Sequence, residues 1–345
     1  MTGSGGKALR RPDTVILAHG GGGRASAELV EKAFLPSLGN KFLAPLSDGA
    51  ILPPLEGRLA FSTDSYVIDP IFFPGGDIGS LAIHGTVNDL SMCGATPVYL
   101  SAGFILEEGF PMADLKRIAD SMGEAARESG VTVVTGDTKV VARGGADKIF
   151  INTAGIGVLP EGVNIAATRV REGDRIILSG TLGDHGTSVL IKRKGLKFDS
   201  PVESDSRPLN GLVREMLDAE PDIHMMRDPT RGGLAAVLNE VARAAGVGMV
   251  IEETAIPVNG NVAAVCELLG IDVLHVANEG KMVAFVPEAS AERVLSVMKT
   301  HTFGRDAAII GMVGGTSAGR VEMKTSFIGN RIIEPLAGEQ LPRIC

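Results

Sequence analysis

The sequence predicts two consecutive α+β lobes. Three observations lead there. At 345 residues the chain is longer than one hydrophobic core usually serves. Helix-like and strand-like segments are mixed along it without a regular βαβ period, which argues against a doubly wound sheet. The pattern also restarts near Pro160, so a boundary is expected between Pro160 and Val163. With 44% hydrophobic and 21% charged residues the chain can bury large cores. With no Trp, two Tyr and twelve Phe, those cores must be aliphatic. The 45 glycines fall in short loops between periodic segments.

The elements follow in chain order. Residues 1–13 are polar, glycine-rich and basic, lack the apolar centre of a signal peptide, and are expected to form a flexible tail. The first lobe is placed at 14–162. Helical spacing is found at 25–38, at 79–93 before Gly94 and Pro97, and through Met112, Leu115, Ala119, Met122 and Ala126. Strands are expected at 59–67, 98–106, 131–141 and 148–158. The second lobe is placed at 163–316. It has strands at 175–178, 249–252, 282–286 and 307–313, and helices at 183–192, 207–217, 234–245, 262–269 and 291–299. After Gly315 both signals weaken, so 317–345 is expected to be a flexible C-terminal tail.

Charge and cysteine content narrow the function. A formal charge of −8 offers no basic face for nucleic acid. No apolar run reaches spanning length, so no membrane partner and a cytoplasmic location are expected. The three cysteines contain no Cys-x-x-Cys pair, against zinc or a disulfide framework. Cys93 and Cys266 read as buried small hydrophobes on helices. Cys345 is the last residue of the sequence.

Several motifs carry chemistry. After His19, the run Gly20, Gly21, Gly22, Gly23 lets backbone N–H groups approach an anion, with a helix starting beyond it; a flexible linker has the same composition. Asp48 follows Pro45-Leu-Ser, Asp64 and Asp137 end strands, Asn88 and Asp89 lie within a helix, and Asp228 opens Asp-Pro-Thr-Arg-Gly-Gly; an acid at the end of an apolar strand suits Mg²⁺ and phosphate oxygens. They are also common turn and cap residues. Lys139 and Arg231 are the candidate cations for phosphate, or else surface ion-pair partners. Glu279, in Asn278-Glu-Gly-Lys281, is an acid, a base or a turn residue. His84 lies on a helix, where a core role is the commoner one; His185, His224, His275 and His301 read as structural. From Gly329 an extended tail could reach roughly 55–60 Å, enough to enter a cleft.

Taken together and in this order, His19-Gly-Gly-Gly-Gly, Thr63-Asp-Ser-Tyr, Gly85-Thr-Val-Asn-Asp-Leu, Thr135-Gly-Asp-Thr-Lys, Asp228-Pro-Thr-Arg-Gly-Gly, Asn278-Glu-Gly-Lys and Pro342-Arg-Ile-Cys resemble the HypE family of hydrogenase maturation proteins. The resemblance covers nearly the whole chain after the first dozen residues. It implies a two-domain aminoimidazole ribonucleotide synthetase-like (PurM-like) fold, homodimeric through the sheet of the first domain, with ATP and Mg²⁺ in a cleft between domains. It implies that a carbamoyltransferase, HypF, loads Cys345, and that a HypC–HypD scaffold receives cyanide for the iron of [NiFe] hydrogenase. The implied reaction dehydrates an S-carbamoyl group on Cys345 to S-cyanocysteine. Asp48, Asp64, Asn88, Asp89, Asp137 and Asp228 are then the metal set. His19, the four glycines, Lys139, Thr230 and Arg231 are the nucleotide set. Glu279 is the proton acceptor with His84 in reserve, and Lys139 stabilises the transferring group. Two alternatives remain: another ATP-dependent enzyme of the same superfamily, and a carrier in which Cys345 only ferries a group made elsewhere.

Overall fold

A computed structural model describes residues 13–196, 202–327, 329–338 and 341–345. The expected N-terminal tail therefore lies, apart from Asp13, outside the described residues. The first lobe is built on a four-stranded sheet in the order Arg58–Tyr66, Ile149–Leu159, Thr96–Glu107, Thr132–Val141. Its last two strands are parallel, joined by the crossover helix Met112–Ser129. Asp137 thus lies in mid-strand rather than at a strand end.

The strand Arg58–Tyr66 alternates, and the alternation positions the site. Leu59, Phe61, Thr63 and Ser65 are exposed, whereas Ala60, Ser62, Asp64 and Tyr66 point to the face covered by helix Ile78–Met92. That helix starts because Asp77 caps it, accepting from the N–H groups of Gly79 at 2.8 Å and Ser80 at 3.1 Å. It is buried almost all round because the sheet lies on one side and the second lobe on the other. The close fit needs glycine at 85, where a Cβ would lie 2.2 Å from the Tyr66 hydroxyl. Cys93 stands just past the helix end and is exposed, a correction to its expected burial; Cys266 is buried as expected.

The second lobe has a seven-stranded sheet in the order Asn330–Ile332, Val321–Lys324, Met249–Glu252, Ala308–Val313, Arg175–Leu178, Val283–Val286, Met225–Arg227. Two of these strands correct the expected boundary at 316: Val321–Lys324 and Asn330–Ile332 belong to the sheet, and Val321, Met323 and Ile333 are part of the core. These short strands lie among Gly314, Gly315, Gly319 and Gly329, so turn signals mask what little period they carry.

The end of the chain is the second difference. Instead of running out as a tail, residues 341–345 dock against the first lobe. The Val67 N–H donates to the Cys345 carbonyl at 3.0 Å, and the Asp69 N–H to that of Arg343 at 3.3 Å. Ile344 is buried in the first-lobe core, with Leu341 and Cys345 packed against it. Burial of the apolar Ile344 favours a fixed position over a solvated one.

Candidate active site

The structure brings one part of the expected set together between the lobes. Asp64 comes from the inner face of its strand, and Asp89 from helix Ile78–Met92, where Ser62 donates to it at 2.7 Å. Asp228 follows strand Met225–Arg227, and Glu279 precedes strand Val283–Val286. Negative neighbours and burial raise the proton affinity of Asp89, Asp228 and Glu279. Asp228 is pushed up to about 7, first by burial and then by the charge of Asp89. Burial likewise raises Asp89. Glu279, 4% exposed, is held well above the usual carboxylate range by burial, then by Asp228, Asp205, Asp64 and Asp89. Its Oε1 and the His84 Nε2 are buried with no hydrogen-bond partner among the described residues. A repelling acid cluster beside such orphaned atoms suits a cation and a polar ligand. Among the described residues, however, no three His, Cys, Asp or Glu side chains already stand close enough to hold a metal ion.

Two buried asparagines fasten the motifs to each other. Asn88 donates to the carbonyls of Arg207 at 3.0 Å and Glu279 at 3.1 Å, and accepts from the Leu209 N–H at 2.8 Å. Its amide bonds backbone on both sides, so Asn88 clamps the two lobes together. Asn278 accepts from the Gly183 N–H at 2.7 Å and donates to Pro229 and Val276, tying the Asp228 loop to the Glu279 loop. From that loop Thr230 and Arg231 lead into helix Gly233–Ala245; Arg231 is exposed and its charge acts on Asp89. His84 is buried, its Nδ1 3.1 Å from the Ser206 hydroxyl. Burial lowers its pKa to about 3, so it stays neutral and would bind a proton only weakly.

The remaining candidates gather elsewhere. Register pairs Asp137 with Gly103 and Lys139 with Ile105, while Ala102 and Phe104 are the buried positions of that strand. Asp137 and Lys139 therefore stand on the face opposite Asp64, paired to each other at 2.7 Å. With His19, Gly20, Gly22 and Gly23 they border a cavity of about 410 Å³, whose rim includes Ser47 and Gly49 on either side of the exposed Asp48. Within one chain the six expected metal residues thus do not form a single set. The glycine loop is closed on itself: Gly21 N–H donates to Ala18, and Gly22 N–H to the Ser26 hydroxyl, which donates to His19. Gly20 is required by packing, since a Cβ there would lie 2.6 Å from the Val140 nitrogen.

Cys345 packs against the first-lobe core cluster, which also takes in Val189 and Ala277 of the second lobe. Its carbonyl bonds Val67, the neighbour of Tyr66. The docked segment is therefore held at Val67, three residues past Asp64, and at His185, whose neighbour Gly186 donates its N–H to Ala277 at 3.0 Å.

Comparison with known proteins agrees with this layout. The AIR synthase related protein N-terminal domain matches residues 46–159, and the corresponding C-terminal domain matches 171–324. Carbamoyl dehydratase HypE of Azotobacter vinelandii is 56% identical over 335 residues, spanning 97% of this chain and 98% of that protein. The chain belongs to the carbamoyl dehydratase HypE family. A crystal structure of hydrogenase maturation protein HypE in complex with ATP matches with a TM-score of 0.93 and 51% identity, over 96% of this chain and 100% of that one. A HypE–HypF complex structure matches with a TM-score of 0.79 and 48% identity, over 89% and 99%. The two-domain PurM-like α+β fold expected from the sequence is the fold found.

Sequence reasoning missed Tyr66, Asp205, His185 and Arg193. Tyr66 had a signal, being one of two tyrosines and inside a quoted motif. Its buried hydroxyl is held well above its ordinary pKa by burial and then by Asp64. Asp205 accepts from the Glu279 N–H at 3.1 Å and pairs with Lys281 at 3.5 Å, contacts between segments too far apart in sequence to foresee.

Proposed function

We propose that this chain is an ATP-dependent carbamoyl dehydratase that converts S-carbamoyl-Cys345 to S-cyanocysteine for hydrogenase maturation. The observation that carries the reading is the docking of the Cys345 segment on Val67 and His185, between the strand that bears Asp64 and the lobe that bears the buried Glu279. A thiocarbamate oxygen leaves poorly as oxide, and ATP supplies the phosphoryl group that lets it leave as phosphate. Mg²⁺ would neutralise the phosphate charge there.

The side-chain types present suit both, with the acids still apart: among the described residues no three stand close enough to enclose an ion. Asp64, Asp89 and Asp228 are the proposed metal holders, since their mutual repulsion is relieved by a cation. Thr230 and Arg231, at the start of helix Gly233–Ala245, are the proposed phosphate contacts. Glu279 takes the nitrogen proton in its ionised form, which a bound cation would favour; once ionised, its raised proton affinity makes it a stronger base than an ordinary carboxylate. The buried, neutral His84 is the weaker candidate.

Two chains are proposed to pair through the outer sheet face, where Leu59, Phe61 and Ile105 are exposed. Asp137, Lys139 and the glycine loop stand near that face, so their part in the reaction is tied to the pairing. HypF is the proposed carbamoyl donor partner, supported by the HypE–HypF complex of a relative. A HypC–HypD complex is the proposed acceptor. The test is ATP hydrolysis with and without a carbamoyl group on Cys345. Hydrolysis that depends on the loaded cysteine supports the enzyme; equal hydrolysis in Cys345→Ala leaves only a carrier.

A further inference from the structure

Helix Asp184–Lys194 carries His185, Val189 and Arg193 four residues apart, on one face. All three meet the last residues of the chain. The His185 Nε2 lies 2.7 Å from the Ile344 carbonyl. A carbonyl only accepts, so Nε2 carries the proton, and Nδ1 accepts from the Ser204 hydroxyl at 2.8 Å. The Ser204 oxygen in turn accepts from the Ser206 N–H at 3.1 Å, and the Ser206 hydroxyl meets His84. Val189 packs in the cluster that holds Ile344. The Arg193 guanidinium donates to Pro342 at 2.9 Å, to Arg343 at 2.8 Å, and to Asp69 of the first lobe at 2.9 Å.

The carbonyls of four consecutive residues, Pro342, Arg343, Ile344 and Cys345, therefore each accept from a named donor: Arg193, Arg193 with Asp69 N–H, His185, and Val67 N–H. Contacts to successive backbone groups fix the register of a segment, because a slip of one residue breaks all of them at once. The Arg343 side chain adds a bond from Nε to the Val67 carbonyl at 2.8 Å and an ion pair with Asp147.

We propose that His185 and Arg193 are the positioning residues for Cys345, setting the depth and register at which its sulfur enters the dehydration site. The proposal rests on the reading of Cys345 as the residue that carries the carbamoyl group. The test uses the full chain with Cys93→Ser, because the exposed Cys93 would also react with a thiol reagent. Two rates are read: alkylation of Cys345 by iodoacetamide, and loss of water from protein loaded beforehand.

His185→Phe keeps a ring against Phe73 but removes the donor. It should leave nucleotide binding and loading intact, raise Cys345 alkylation and slow dehydration, each by roughly five- to tenfold, the usual worth of one neutral hydrogen bond. His185→Gln places an amide N–H near the Nε2 position and should recover both rates. Arg193→Ala, at a half-buried position late in the helix, should act in the same direction and carries the test if the first variant does not fold. Unchanged rates in His185→Phe and Arg193→Ala, or a Gln variant no better than Phe, would overturn the assignment. Faster alkylation in the variants with no dehydration even by the parent would instead sink the reaction while the seating stands.

Discussion

Asp228→Asn should make the ligand-free protein more stable at alkaline pH. Asp228 is buried, and its carboxyl holds a proton up to about pH 7, against an ordinary value of 3.8. Between those values the native state binds more protons than the unfolded chain. Its stability therefore falls as pH rises through that window, and the penalty is complete above about pH 7. At 1.36 kcal/mol per pH unit the difference corresponds to about 4 kcal/mol, and relaxation around the charge reduces it, so about 2–4 kcal/mol is expected. Asparagine never ionises and escapes the penalty. Urea unfolding of parent and variant at pH 8 and at pH 4 measures it. The variant should gain stability at pH 8 and approach the parent at pH 4. With Mg²⁺ and nucleotide present the order should reverse, because the parent gains binding energy through the carboxylate. A variant less stable than the parent at pH 8 without ligand, or a difference independent of pH, would refute the reasoning.

Other expectations follow from the same geometry. Glu279→Gln should still be carbamoylated but lose water about 10²–10⁴-fold more slowly, the contribution of a positioned base; quenched mass analysis would show the carbamoylated form building up, and a parent-like rate would remove Glu279 from the role. Gly85→Ala should cost about 1–3 kcal/mol in thermal unfolding, since the added methyl meets the Tyr66 hydroxyl; an unchanged midpoint would contradict the packing. Asp137→Asn should alter stability by less than about 1 kcal/mol, its ion pair with Lys139 being exposed, yet weaken nucleotide binding in calorimetry; unaltered affinity would detach it from the site. Phe61→Asp should shift sedimentation toward the monomer if the outer sheet face joins two chains.

Much of the fold was legible because its longer elements keep a clear period. The strand Ile149–Leu159 and the helix Met112–Ser129 are examples. What escaped was masked by turn signals or depended on contacts distant in sequence. Val321–Lys324 and Asn330–Ile332 are short and lie among glycines, and they moved the end of the second lobe past 316. The motifs named the acids but not their grouping. Only strand register reveals that Asp64 and Asp137 occupy opposite faces of one sheet, and only a folded interface reveals that Asn88 spends its amide on Arg207, Leu209 and Glu279. His185 looked like a core histidine, because a bond to a carbonyl 159 residues away leaves no local trace.

The most direct measurement is the intact mass of the protein during incubation with HypF, carbamoyl phosphate, ATP and Mg²⁺. The account predicts the gain of one carbamoyl group, then ATP-dependent loss of one water, both mapping to Cys345 and both absent from Cys345→Ala. Loss of water without ATP, or a carbamoyl group carried on another residue, would contradict it.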